Sequence, residues 1–535
     1  MRATNMKKGI SNRPLLLALM VAVLTLLTAT AHAAAPGIKG PVFDLRAEAA
    51  YITQPDGSMI YSWGYGCNTP PTDFVPPTIT GGFCNSMQIP GPTLVVTQGV
   101  QVTVTLTNRL PAAAGNTSIL FPGFNVTTSG GVAGLLTQEA APGGTVTYTF
   151  TPSSPGTRAY YSGTQGDLQI EMGLYGAIIV LPSNIPAACT SGLAANNLAA
   201  QAHWGESDFR LAAAAYNHPK ACYDREYLFQ FSEIDPRIHT QALAQVNAAD
   251  CTPVGTPPTL PPTCTLNVAT EPYAPAYFMI NGRSMPDDMD SNYAEQYPHQ
   301  PYNGNPHMHP GEQVLLRVVG QGRWQHPFHE HGNHVRILGR DGNLILSSND
   351  PNDPNLAGPL LFTTTTTPGL AMDGIFYWTG KGLNWDAYGH NPASGDATGK
   401  LPCVADGNGY NTVDPTAINY YEWCQDHNKP LEAHPFGDVA TGGPATLPDA
   451  NILTNGAWFG GSPYLGPNAT TRAVGFTGTT PPSGTVANPP TEEAGFAYMW
   501  HSHNEREITT NNIFPGGMMM MMLVDSREFK IDESN

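Results

Sequence analysis

Sixteen histidines are spread unevenly through the 535 residues, and seven of them fall between positions 299 and 334. The densest stretch reads His326-Pro327-Phe328-His329-Glu330-His331-Gly332-Asn333-His334. A second, Trp500-His501-Ser502-His503-Asn504-Glu505, lies near the C-terminus. In an extended chain, side chains two residues apart share a face. His329 and His331 therefore project together, and so do His501 and His503. Two such units on neighbouring strands bring four imidazoles to one place, a donor set suited to copper, zinc, iron or nickel. His326 is a fifth metal candidate by proximity, but it stands an odd number of residues from His329. A strand that stays regular through Pro327 points it elsewhere.

Carboxylates lie beside these histidines. Glu330, Glu505 and Glu507 are candidates for orienting a ligand, for ligation, or for a catalytic base, against the alternative of solvated loop residues. His307-Met308-His309 is either an accessory copper-binding loop or, more in keeping with its Asn/Pro/Gly surroundings, an exposed turn. The methionine run 518–522 offers thioethers to Cu(I), but as a closing strand it reads first as core packing. No Ser/His/Asp order, phosphate loop or paired-carboxylate motif stands out.

The elements that must hold these residues are strands. Gly and Pro number 56 and 50, charged residues are only 12%, and short Val/Thr/Tyr-rich runs alternate with turn residues, the pattern of sandwiches and barrels. One barrel is expected over residues 34–183, with a cleanly alternating strand at 101–106 and a closing strand at 173–180. Residues 184–224 read as an irregular linker. A second barrel is expected over 225–530, interrupted at about 385–493 by a Gly/Pro/Asn/Asp-rich insertion. A shared plan of Pro-Gly turn and Gly-rich closing strand in both halves suggests duplication.

Residues 1–33 read as a signal peptide: a basic start, an apolar run too short to span a bilayer, and Ala31-His32-Ala33 as cleavage site. Removing the leader's four cations leaves 20 basic against 42 acidic groups, a net charge of −22. That disfavours nucleic acid and anionic membrane as partners. The eight cysteines are even in number and all follow the leader, which reads as disulfides in an exported protein, periplasmic, extracellular or at the cell surface. Eight cysteines allow 105 connectivities. Short-loop closure favours Cys67–Cys84, Cys189–Cys222, Cys251–Cys264 and Cys403–Cys424.

The chain resembles the multicopper oxidase family. His326-Pro-Phe-His329-Glu-His331-Gly is similar to the family's His-Pro-x-His-x-His-Gly segment. His501-Ser-His503 with Gly516-Gly517-Met518 is similar to its His-Cys-His segment followed by Gly-Met. Ile89-Pro90-Gly91-Pro92-Thr93 and Met172-Gly173-Leu174-Tyr175-Gly176-Ala177 are similar to first-domain signatures. The resemblance implies an all-β fold of two cupredoxin-type (plastocyanin-like) Greek-key barrels with the long loop insertion in the second. It also implies a thiolate-bound mononuclear copper that feeds electrons to a three-copper cluster reducing dioxygen. Several implied ligands are missing. Ser502 replaces the cysteine, and Glu507 falls where a second mononuclear-site histidine belongs, leaving His326 and Met518. Leu120, Pro122, Tyr161 and Gly163 replace four first-domain cluster histidines.

The expected protein is thus an exported copper-binding oxidoreductase with a reduced site of one or two copper ions, or another divalent metal, on His329, His331, His501 and His503. Its site should be open toward Leu120, Pro122, Tyr161 and Gly163. Its substrate would be a small molecule or metal ion, with dioxygen as a candidate and a homo-oligomer compatible. Rival readings are a non-catalytic metal-storage protein and a metal-free structural surface protein. Because intense blue colour comes from a copper–thiolate bond, copper-loaded protein is expected to lack it in an absorption spectrum. A strong blue band would show that Ser502 does not stand at the ligand position.

Overall fold

A computed structural model describes residues 35–75, 84–347, 355–381, 404–423, 425, 461–464, 468, 470–471, 486–487 and 494–531. The expected leader, the Cys403–Cys424 pair and most of the 385–493 insertion lie outside the described residues.

Strands dominate, and they form two pairs of sheets. Five strands from Gly37–Lys39 to Tyr175–Leu181 make one sheet of the first pair; Val42–Thr53, Met59–Cys67, Val102–Asn108, Thr127–Gly130 and Thr145–Phe150 make the other. Val102–Asn108 and Thr145–Phe150 alternate buried and half-exposed positions along their length. One face of each therefore lies on the core and the other reaches solvent, as period-two patterning requires. The interior is aromatic: Trp63, Tyr65, Tyr148 and Tyr160 are fully buried.

The second pair comprises a seven-stranded and a six-stranded sheet. Arg225–Ile234 is buried along its whole length and runs parallel to Gln313–Gly320. The six-stranded sheet carries the histidines. Its order is His307–Met308, Met519–Asp525, Gly495–Ser502, His326–Glu330, Thr363–Thr366, with Gly461–Tyr464 paired on Gly495–Ser502. Phe229, Phe231, Phe328, Trp500 and Met520 pack between the sheets. The architecture is the all-β, two-barrel cupredoxin type that the sequence implied.

The halves are bolted together by buried polar groups. The Asp373 carboxylate accepts hydrogen bonds from the Thr157 backbone N–H (3.0 Å) and hydroxyl (2.6 Å) and from Tyr216 (2.7 Å). The helix Pro236–Ala248, N-capped by Asp235, sets Ile238 and Ala242 into the first core. Three disulfides, Cys67–Cys84, Cys189–Cys222 and Cys251–Cys264, follow the expected local pairing.

The 184–224 stretch departs from the irregular reading. It contains the helix Gly192–His203. Asn197 and Gln201, one turn apart, reach Asp224 (2.8 Å) and Glu312 (2.8 Å). Its apolar signal is weak because the helix is Ala-rich and docks through amides, so helical propensity rather than periodicity was the usable cue. Within the expected insertion, residues 404–423 carry Tyr420, whose ring lies under Arg527 and whose carbonyl accepts from the Arg527 Nε.

Phe328 alternates with the histidines and is fully buried, with its ring centroid 4.8 Å from that of Phe231 and 6.1 Å from that of Trp500. Phe328→Ala is expected to cost about 3–5 kcal/mol, measured as a lowered midpoint in chemical denaturation. An unchanged midpoint would show that the strand is not anchored through this ring.

Candidate metal centre

The His326–Glu330 strand pairs antiparallel with Gly495–Ser502 in the register Phe328↔Ser502, His329↔His501, Glu330↔Trp500. Directly opposite residues point to the same side of a sheet. His329 and His501 therefore share one face with His331, and Phe328, Glu330, Ser502 and Trp500 fill the other. The His503 N–H donates to the Pro327 carbonyl (2.8 Å), which carries the pairing one step further. After His331 the chain turns at Gly332, where φ is +98° and an added Cβ would meet the Tyr498 ring at 3.1 Å. Only glycine suits that position.

The four imidazoles converge. The His329 ring lies 4.8 Å from His331, 5.4 Å from His501 and 4.6 Å from His503, centroid to centroid. Candidate donor atoms of His329, His331 and His501 all lie within 4.8 Å of one another. His331 Nε2 and His501 Nε2 are 3.4 Å apart. Two rings are held by their other nitrogen: His329 Nδ1 by the Thr363 hydroxyl (2.6 Å) and His501 Nδ1 by the Ser502 carbonyl (2.7 Å). Orienting one ring nitrogen so that the other faces a common point is how proteins prepare histidine for metal. Burial, and then the charges of the neighbouring imidazoles, pushes His329 down to about 4. Burial likewise lowers His501. Both shifts favour neutral imidazole at His329 and His501, the form that ligates, and the donor set fits a copper or other borderline divalent ion. His329 and His501 are buried, His331 is half-buried and His503 is exposed at the rim.

His326 does not join them. Its ring is fully buried on the opposite face, with Nε2 2.9 Å from Glu233 and Nδ1 2.9 Å from Glu507. Both nitrogens are taken, so the expectation of His326 as a metal ligand is corrected. Ser502 donates to the same Glu507 oxygen (2.5 Å), and Asn504 donates to the other (2.9 Å). The implied mononuclear copper position is therefore an ion bridge, and its residues include no thiolate to fit a blue copper. The loop that carries Glu507 is fixed by Gly517, at φ +65°, and by the Met518 N–H on the Glu507 carbonyl (2.8 Å).

The other candidates separate. Glu330 is fully buried in the barrel, and burial raises its pKa well above the usual carboxylate range, so it is no base for the cluster. Glu507 is committed to His326. Glu505 is exposed, and its charge acts on His501. His307 and His309 are buried rather than exposed: His307 Nδ1 lies 2.8 Å from Asp525 and His309 Nε2 2.8 Å from Glu206. The His307–Met308 strand pairs with Met519–Asp525, which brings Asp525 within reach of His307. Met518, Met520 and Met522 are core residues. Leu120 and Tyr161 pair with each other, and Leu120 closes over Gly163, whose added Cβ would meet it at 2.8 Å. Tyr161 lies against Gly369, whose added Cβ would stand 3.1 Å from its ring. Glu233 and Thr363 escaped the sequence reading. An acid inside the run Tyr227-Leu228-Phe229-Gln230-Phe231-Ser232-Glu233-Ile234 was the available sign, since a buried charge needs a partner.

Burial alone would lower the His326 pKa, but the hydrogen bonds and charges of Glu233 and Glu507 outweigh it and push it up to about 9 from 6.5. The folded state therefore binds this proton more tightly. Its contribution, of order 3 kcal/mol, is fully present below about pH 6.5 and lost as pH rises through about 9. Urea midpoints measured from pH 6 to 10 are expected to fall across that window, and His326→Gln is expected to remove that slope. A wild-type slope in the variant would assign the titration elsewhere.

Residues 81–185 and residues 269–372 each match a multicopper oxidase family domain. No curated protein sequence matches the chain. Among solved structures, the blue copper oxidase of Nitrosomonas europaea is similar at 15% identity, covering 90% of this chain and 85% of that one with a TM-score of 0.43. The multicopper oxidase mgLAC is similar at 15% identity, covering 90% and 86% with a TM-score of 0.42. A copper nitrite reductase of Nitrosomonas europaea is similar at 18% identity, covering 63% and 84% with a TM-score of 0.35. With two family domains matched and the His-Pro-x-His-x-His-Gly strand in place, the chain is a divergent member of the multicopper oxidase family.

Proposed function

We propose that this protein is an exported copper-binding oxidoreductase that works from a reduced, all-imidazole site on the second of two barrels and is not a four-copper laccase. The observation that carries the reading is the convergence of His329, His331 and His501 donors within 4.8 Å, with the His503 ring at the rim. Export is supported by the leader-like first 33 residues and by disulfides, which persist in oxidising compartments.

Copper held by His329, His331 and His501 would supply one-electron exchange and Lewis acidity. The chain's own residues prepare for this. Thr363 and the Ser502 carbonyl turn the Nε2 atoms of His329 and His501 inward. The exposed His503 edge gives a small substrate or dioxygen its approach. Ser502, bound to Glu507, offers no thiolate route for electrons from a distant donor, so the reductant must come to the imidazole site itself. Without histidines at Leu120, Pro122, Tyr161 and Gly163, the site holds one or two ions rather than a full cluster.

The test is elemental analysis and electron paramagnetic resonance of protein purified after copper supplementation. Stoichiometric copper with nitrogen hyperfine structure is expected, lost in His329→Ala/His501→Ala while the circular dichroism spectrum persists. Thr363→Val is expected to weaken copper binding by roughly 10–100-fold. Unchanged copper in the double variant would overturn the site. Tight copper without turnover of phenols, metal ions or nitrite would favour the storage reading, and absence of metal the structural one.

A further inference from the structure

The chain leaving His331 turns at Gly332 and immediately forms the wall of a cavity of about 370 Å³ through Asn333, His334 and Arg336. We infer that this cavity binds a small aromatic carboxylate beside the imidazole cluster.

Its size lies near the lower end of ligand cavities, roughly 300–1,000 Å³, which suits a single ring with one polar group. Leu338, Leu356 and Ile375 supply apolar lining. Cationic groups join it, with Arg336 directly across the sheet from Ile375. Arg336 and Lys220 both line the cavity, and each contacts a neutral oxygen: Arg336 Nη1 donates to the Gly358 carbonyl (2.6 Å) and Lys220 Nζ to the Asn355 side chain (3.3 Å). Neither of these contacts neutralises its charge. The described lining residues include no carboxylate, in a chain with 42 acidic and 24 basic residues. A guanidinium fork and an ammonium beside apolar lining match a carboxylate on a ring.

The site has a position relative to the metal centre. The Phe362 ring lies 4.9 Å from His334 and 5.7 Å from His329, centroid to centroid. A ring bound against His334 is separated from the cluster by one aromatic side chain.

Occupancy of the cavity needs no metal; only its use as a substrate position rests on the copper reading. Calorimetric titration of the full-length, chelator-treated protein therefore tests it separately. Benzoate is expected to bind, and benzyl alcohol, the same ring without the charge, about tenfold more weakly or worse. Arg336→Gln is expected to weaken benzoate binding by about tenfold, and Lys220→Gln, at an exposed position that leaves the fold intact, by several-fold. Benzyl alcohol binding as well as benzoate, benzoate binding unchanged in both variants, or no heat with benzoate at millimolar concentration would each overturn the site. None of these results bears on copper uptake at the histidines.

Discussion

The site depends on one strand register. His329 stands opposite His501, and every other feature follows from that pairing. A slip of one residue would turn the imidazoles into the barrel and bring Phe328 and Trp500 out to the surface. The apolar side of the two strands prevents it, because Phe328 and Trp500 are both fully buried among aromatic neighbours. Burial of one face thus positions the chemistry of the other. Thr363, on the strand paired with His326–Glu330, then sets the His329 ring.

The opposite face carries buried charge at the position where the family resemblance implies a mononuclear copper. Buried charge there needs compensation. Here an imidazolium spans two carboxylates, and the serine hydroxyl that replaces the cysteine binds one of them. Glu233 is further held by the N–H groups of Arg323 (2.7 Å) and Trp324 (2.8 Å). A buried charge set of this kind stabilises only when every member is satisfied. The four-residue arrangement meets that condition and ties Arg225–Ile234, His326–Glu330 and the Glu507 loop together.

Much of this was legible in the sequence, for identifiable reasons. Period-two spacing gave the shared face of His329 with His331 and of His501 with His503, and oddness gave the divergence of His326. Alternation gave the strands at 101–106 and 145–150, and loop length gave three disulfides. Partners distant in sequence were not legible. Nothing local links His326 to Glu233, 93 positions away, or His307 to Asp525, 218 away. His307 and His309 therefore read as exposed when they are buried. The helix Gly192–His203 was missed because alanine and amides leave no apolar stripe.

The central claim is that copper sits on the imidazole face of the paired His-x-His strands. Anomalous diffraction at the copper edge, on crystals grown from copper-loaded protein, tests it most directly. The account predicts the peak among His329, His331, His501 and His503, with none at His326. A principal peak at His307 and His309, at the 518–522 methionines, or between Glu233 and Glu507 would contradict it.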